Sequence, residues 1–141
     1  MTTIAIKDGQ IAADSQLTGM SGGAVLHVDK VFKGTDGVVY GGFGDWSVAH
    51  AMIQWLLGGS AGDAPSLEDG AIVRVGRDGV IYLMEDGPTF FPIKNRFAAF
   101  GSGSQEAMMA MRFGASAEEA VKAVVEQNAF SGEPVLVMRY D

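Results

Sequence analysis

Asp-Gly pairs that separate short apolar runs restrict the fold of this chain more than any other feature. Asp8-Gly9 and Asp78-Gly79 each lie between two apolar runs, and Asp36-Gly37 leads into the apolar run 38–44. Aspartate followed by glycine suits the tight turns of hairpins, because both residues tolerate the positive φ angles that such turns need. The sequence therefore predicts sheets in which most neighbouring strands are antiparallel.

Three segments have the spacing of amphipathic helices. The first has Asp45 or Ser47 as its N-cap, carries apolar residues four apart, and ends at Gly58-Gly59. The second begins at Ser104 as its N-cap, and the third begins with a capping box that joins Ser116 to Glu119. These helices are bunched between runs of strands, which favours the α+β class. We predict a four-layer αββα sandwich, in which helices flank two antiparallel sheets.

The composition excludes several classes of protein. A length of 141 residues suits one domain, and we expect residues 1–141 to form a single one. Because the chain has no cysteine, it cannot form disulfide scaffolds, thiolate metal sites or a cysteine nucleophile. Its net charge of −7 disfavours binding to nucleic acid. No apolar stretch suits a membrane span and no secretory signal is recognisable, so we expect a cytoplasmic protein.

Few of the usual catalytic groups are available. His27 and His50 have no partner at the spacing of a metal site or a catalytic triad, and we expect neither a metal nor another cofactor. A hydroxyl nucleophile that uses the chain's own α-amine as its base needs neither histidine nor cysteine. Removal of Met1 would give Thr2 a free α-amine with a pKa of about 7.7–8.0, close to working pH.

Lys30, Asp14 and Gly42 have the chemistry that such a nucleophile needs. A cation near the α-amine lowers the pKa of that amine and stabilises negative charge on the hydroxyl, and Lys30 begins an apolar strand. A lysine at such a place needs a carboxylate, and Asp14 ends the strand that pairs with the start of the chain. Gly42 lies in a glycine-rich segment, where a backbone N–H can approach an oxyanion.

Several short motifs follow one another over nearly the whole chain. They are Thr2-Thr3-Ile4, Ala12-Ala13-Asp14-Ser15-Gln16-Leu17-Thr18, Lys30-Val31, Gly41-Gly42-Phe43-Gly44-Asp45, Gly101-Ser102-Gly103 with Ala107, Ser116-Ala117-Glu118-Glu119-Ala120, and Asn128-Ala129-Phe130-Ser131-Gly132. Each motif is weak by itself, but their order makes the set specific. Together they resemble the proteasome β-type and HslV-like threonine peptidases of the N-terminal nucleophile (Ntn) hydrolase class.

The resemblance implies a role for each central residue. Thr2 would supply both the hydroxyl nucleophile and the α-amine base. Lys30 would tune that amine, and Asp14 would keep Lys30 charged. The N–H of Gly42 would form the oxyanion hole, and Ser102 would position the amine and a bridging water. The implied reaction is hydrolysis of a peptide bond through an acyl ester on Thr2.

Two positions near the chain end would complete this cluster, and here the sequence departs from the family. Ser131 matches the family motif, whereas Asn128 stands where proteasome β subunits usually carry aspartate. Asparagine keeps the hydrogen-bonding geometry but brings no negative charge. The segment 58–70 is the only linker-like stretch, and it lies where the family usually has a second helix.

The resemblance also implies how a substrate binds and what surrounds the site. Thr18 and its neighbours would pair with a peptide as an added β-strand. Leu17, Val31 and Tyr40 would line the pocket for the side chain before the scissile bond. The substrate would be a peptide or an unfolded protein, the assembly a homo-oligomeric ring, and the partner an ATPase unfoldase.

Two other functions remain open at this stage. A non-catalytic assembly or scaffold subunit would account for Asn128 and for the short chain. An Ntn amidohydrolase that acts on a small amide would keep the same nucleophile, although the match at Thr18 favours peptides.

Overall fold

The described part of this computed structural model covers residues 2–17, 25–87, 89–127 and 132–140. Within these ranges, none of the helices is long and apolar enough to cross a membrane. The helices are α1 (Trp46–Leu57), α2 (Ser104–Arg112) and α3 (Ala117–Gln127). The strands are β1 (Thr3–Lys7), β2 (Gln10–Ala13), β3 (Gln16–Leu17), β4 (Leu26–His27), β5 (Val31–Lys33), β6 (Val39–Gly44), β7 (Gly70–Val75), β8 (Ile81–Glu85), β9 (Phe91–Ile93), β10 (Ala98–Gly101) and β11 (Leu136–Arg139).

The strands form two larger sheets and one short ribbon. The first sheet has the order β10-β1-β2-β11, the second has the order β5-β6-β7-β8-β9, and β3 pairs with β4. Strand pairing is antiparallel throughout these sheets, as the Asp-Gly pairs predict. Asp8 and Gly9 both have positive φ angles in the turn between β1 and β2, where Lys7 pairs with Gln10.

The two larger sheets pack face to face through aliphatic side chains. Alternate residues of a strand point to opposite faces, so every second residue of β1 and β2 points into this interface. The interface buries residues of both sheets, among them Ile4, Ile6, Ile11, Val31, Val39, Val73 and Val75.

Helices cover the outer faces of both sheets. α2 and α3 pack on the first sheet through small and branched residues, among them Ala5, Ala12, Ala107, Met111, Ala120 and Val121. α1 packs on the second sheet around Ala49, Met52, Ile53, Ile72 and Met84. The layers therefore follow the order αββα, and the predicted fold class is confirmed.

The helix ends agree with the sequence at two of three predicted caps. Asp45 caps α1 by accepting hydrogen bonds from the N–H groups of Ser47 and Val48. Ser116 and Glu119 form the expected capping box, each side chain accepting from the other residue's N–H. The prediction of Ser104 as an N-cap is wrong by one residue, because Gly103 occupies that position.

Candidate active site

A buried ion pair joins the residue that follows β2 to the residue that precedes β5. The Nζ atom of Lys30 is 3.0 Å from Oδ1 and 3.1 Å from Oδ2 of Asp14, and the two residues are only 1% and 0% exposed. Lys30 Nζ also donates to the carbonyl of Gln16 at 2.7 Å. Burial lowers the pKa of Lys30 below its usual range, although the charge of Asp14 and its hydrogen bond oppose this shift.

Asp14 ties this pair to the start and to the end of the chain. Its Oδ1 accepts from the N–H of Thr3 at 2.9 Å, and its Oδ2 accepts from the N–H of Gly132 at 3.1 Å. The local cause is the β1–β2 hairpin, in which Asp14 N–H also donates to the carbonyl of Thr3. The predicted partnership of Asp14 and Lys30 is therefore present, immediately beside Thr2.

The carbonyl group of Thr2 is bound by Ser102. This carbonyl accepts from Ser102 N–H at 2.7 Å and lies 3.4 Å from Ser102 Oγ. The turn before Ser102 requires glycine, because Gly101 has a φ of +92° and a Cβ there would lie 1.8 Å from the Thr2 carbonyl oxygen. Thr2 is 6% exposed, and the two-residue period of a strand places it on the face of Ile4, towards the second sheet.

The geometry of Gly42 contradicts the oxyanion role expected for it. Its N–H donates to the carbonyl of Lys30 at 3.1 Å and is thus already part of the sheet. A Cβ at Gly42 would lie 2.9 Å from Ala49 and 3.0 Å from Ile53 of α1. The missing side chain therefore allows the helix to approach the sheet, and the N–H is not directed at a substrate.

Gly44, which the sequence reasoning missed, is a better placed backbone donor. N–H groups of a strand alternate between its two edges, so Gly44 shares the β5 edge with Gly42. Pairing of β5 with β6 extends to Val31, and the N–H of Gly42 bonds to Lys30 just beyond it. On the β5 edge, Gly44 therefore lies past the part of β6 that pairs with β5. Gly44 has a φ of +83°, and its position directly before the N-cap Asp45 could have revealed it.

Two of the predicted substrate-binding residues have other surroundings. Val31 is fully buried between the sheets, so it cannot line a pocket for a substrate, and that prediction is wrong. Tyr40 is half-buried on the α1 side of the second sheet, with its ring 6.5 Å from that of Phe90. Burial raises the pKa of Tyr40, which keeps its hydroxyl protonated.

The remaining predicted residues give less information. Leu17 is half-buried in β3, opposite the exposed Leu26 of β4. Thr18, Asn128 and Ser131 lie outside the described residues, so their roles stay predictions.

A cavity of about 410 Å³ is formed by residues that neighbour Lys30 and Gly44 in the sequence. Its lining consists of Val28, Asp29, Phe32, Trp46, Ser47 and His50. Asp29 directly precedes Lys30, and Trp46 follows Gly44 after a single residue, so the lining lies close in sequence to both. A larger cavity of about 1010 Å³ lies between β10 and α2, and its lining includes none of Thr2, Asp14 and Lys30. Within the described ranges, no group of three or more His, Asp or Glu residues could hold a metal ion.

The layer order is that of the Ntn-hydrolase fold. Solved structures with this fold match the chain almost end to end. BPH from Thiobacillus denitrificans in complex with epoxomicin has a TM-score of 0.69 and 20% sequence identity, and covers 99% of this chain and 98% of its own. A second BPH structure has a TM-score of 0.65 at 22% identity, with coverage of 99% and 98%.

HslV from Trypanosoma brucei is also similar in structure. Its TM-score is 0.65 at 20% identity, and the match covers 97% of this chain and 99% of that one. No family model matches the sequence, and no curated protein does so either. These similarities confirm, at the level of fold, the resemblance to HslV and the proteasome β subunits.

Proposed function

We propose that this chain is a threonine peptidase whose nucleophile is the hydroxyl of Thr2. The observation that carries the proposal is the buried Lys30–Asp14 pair, which Asp14 attaches to the N–H of Thr3. Burial of two charges costs roughly several kcal/mol in desolvation, and the fold alone gives no reason for this cost near the start of the chain. In the proposed function, the charge of Lys30 supports the chemistry of Thr2 once Met1 has been removed.

The proposed reaction begins after Met1 has been removed. The α-amine of Thr2 takes the proton of its own hydroxyl, and Oγ attacks the carbonyl carbon of the scissile bond. The charge of Lys30 stabilises the developing alkoxide, and we assign the oxyanion donor to the N–H of Gly44 instead of Gly42. The tetrahedral intermediate releases the new amine, which takes the proton, and water then hydrolyses the ester on Thr2.

Supporting roles fall to Ser102, Asn128 and Ser131. Ser102 holds the carbonyl of Thr2 through its N–H, which supports a role in orienting the nucleophile. Asn128 and Ser131 would complete the cluster by polar contacts, and the bond from their neighbour Gly132 to Asp14 supports this assignment. Asn128 supplies no charge, so the field at the amine would depend on Lys30 and Asp14.

The substrate would be a peptide or an unfolded protein. We propose that it binds as an extended strand beside Leu17 and Thr18, with the side chain before the scissile bond in the 410 Å³ cavity. We propose in addition a homo-oligomeric ring, an ATPase unfoldase as partner and action in the cytoplasm, and the fold shared with HslV supports an oligomeric assembly. One domain of 141 residues would be the repeating unit.

Two mass measurements test the proposal. The intact mass of the purified protein should correspond to a chain without Met1. Incubation with epoxomicin, a peptide epoxyketone, should then add one inhibitor per chain, because this reagent needs a hydroxyl and a free α-amine on one residue. Thr2→Ala should abolish the adduct, whereas Thr35→Ala, the same change in an exposed turn, should leave it intact.

The same experiment separates the alternatives. A folded chain that lacks Met1 and forms no adduct would contradict the peptidase proposal and favour a scaffold subunit. An adduct together with hydrolysis of small amides, but of no peptide, would favour an amidohydrolase. Cleavage that survives Thr2→Ala would locate the chemistry elsewhere.

A further inference from the structure

The 410 Å³ cavity combines aromatic rings with a carboxylate. The ring of His50 lies 5.7 Å from that of Trp46 and 6.1 Å from that of Phe32, measured between centroids, so the three rings form one cluster. Asp29 contributes an exposed carboxylate to the same lining. Aromatic faces together with a carboxylate are the surroundings that a cationic group prefers.

The nearby charges also favour a cation. Asp45 accepts hydrogen bonds from Ser47 and Val48, and these bonds hold its pKa below the usual range, so Asp45 remains an anion next to the cavity. This anion offsets the positive end of the α1 dipole, which would otherwise favour a negatively charged ligand. The ammonium group of Lys30 is directed at Asp14 and Gln16, and the cavity lining in the described ranges contains no lysine or arginine.

We propose that this cavity selects a basic side chain, arginine or lysine, immediately before the scissile bond. The cationic group would lie between the Asp29 carboxylate and the rings of Trp46 and Phe32, while the aliphatic part of the side chain would contact Val28. The inference rests on the proposed function, since it names the substrate class of the same site. Asp29 is thereby a specificity-determining residue and takes no part in the chemical step.

The test uses fluorogenic peptides that share one sequence and differ only in the last residue before the leaving group. We expect kcat/KM for arginine and lysine to exceed that for leucine by about tenfold, and glutamate to be the poorest. Asp29→Asn should remove most of this advantage, so that the ratio of kcat/KM for arginine to that for leucine approaches one. Asp36→Asn, a matched change in the exposed turn between β5 and β6, should alter nothing.

The outcomes separate this inference from the proposed function. If the epoxyketone adduct forms on Thr2 but leucine or glutamate is preferred, the inference is overturned and the peptidase proposal stands. An unchanged preference in Asp29→Asn would overturn it equally. If Asp29→Lys shifts the preference towards glutamate, the charge of residue 29 controls selection, as proposed. Absence of both adduct and cleavage would remove the proposed function, and the inference with it.

Discussion

Lys7 and Lys30 show how one residue type serves two purposes in this fold. Lys7 donates to the carbonyls of Met111 and Ala115, each at 2.9 Å, and its Nζ lies 5.4 Å from the centre of the Phe97 ring. Lys30 also reaches a carbonyl, but its main partner is the carboxylate of Asp14. Both lysines join parts of the chain that are distant in sequence.

The two lysines have partners of different kinds. The carbonyls that Lys7 contacts belong to the C-terminal end of α2 and the turn after it, where backbone acceptors need donors. A cation there also interacts favourably with the helix dipole, so the position explains the residue. Lys30 is nearly inaccessible to water and satisfies no helix end. The proposed function gives its charge a role at Thr2.

The largest effect should follow from Lys30→Met. This change leaves the Asp14 carboxylate buried without its cation, so we expect a loss of about 3–5 kcal/mol in unfolding free energy. Peptide cleavage should fall by about 10²–10³-fold or more, because the alkoxide loses its stabilising charge. Urea unfolding and kcat measured on one preparation would check both effects. A variant of normal activity would contradict the role given to Lys30.

The double variant Asp14→Asn with Lys30→Met should separate stability from activity. Removing both charges abolishes the cost of an unpaired buried ion, so most of the stability should return. Activity should remain as low as in Lys30→Met, since the cation is still missing. Recovery of cleavage along with stability would show that the pair acts only on folding.

Lys7→Met should have a smaller effect, and of a different kind. Loss of the two hydrogen bonds at the end of α2 should lower the unfolding free energy by about 1–3 kcal/mol. The rate of peptide cleavage by the folded protein should stay within about twofold of the original, because Lys7 contacts Met111 and Ala115 and not the site. A large fall in kcat at unchanged folding would break the distinction between the two lysines.

The smallest effect concerns pH and follows from the lowered pKa of Lys30. In the window between this lowered pKa and the usual value of 10.5, the unfolded chain binds more protons at Lys30 than the folded chain does. Stability from this group therefore rises with pH across that window, by less than about 1.4 kcal/mol per pH unit. Unfolding measured at several pH values should show the rise relative to Lys30→Met, and an opposite slope would contradict it.

The sequence predicted the sandwich because Asp-Gly turns and helix caps act locally. It also predicted the Asp14–Lys30 partnership, because a lysine in an apolar strand needs a carboxylate. It did not allow the faces of β5 and β6 to be assigned. Both strands are covered on two sides, so the apolar run shows no alternation from which the direction of a side chain could be read. The resemblance places Val31 in a pocket, whereas the structure buries it between the sheets. For the same reason the oxyanion role falls on Gly42 in the sequence, although the N–H of Gly44 suits it better.

Asp14 has one more consequence, which concerns when the site comes into being. Its carboxylate receives hydrogen bonds from Thr3, eleven residues before it, and from Gly132, 118 residues after it. The bond to Thr3 belongs to the local β1–β2 hairpin, whereas the bond to Gly132 forms only after a long loop has closed. During synthesis, the carboxylate therefore lacks its Gly132 partner until nearly the whole chain has left the ribosome. The hydrogen-bonded surroundings of Asp14, on which the proposed nucleophile depends, are thus complete only once the end of the chain has folded into place.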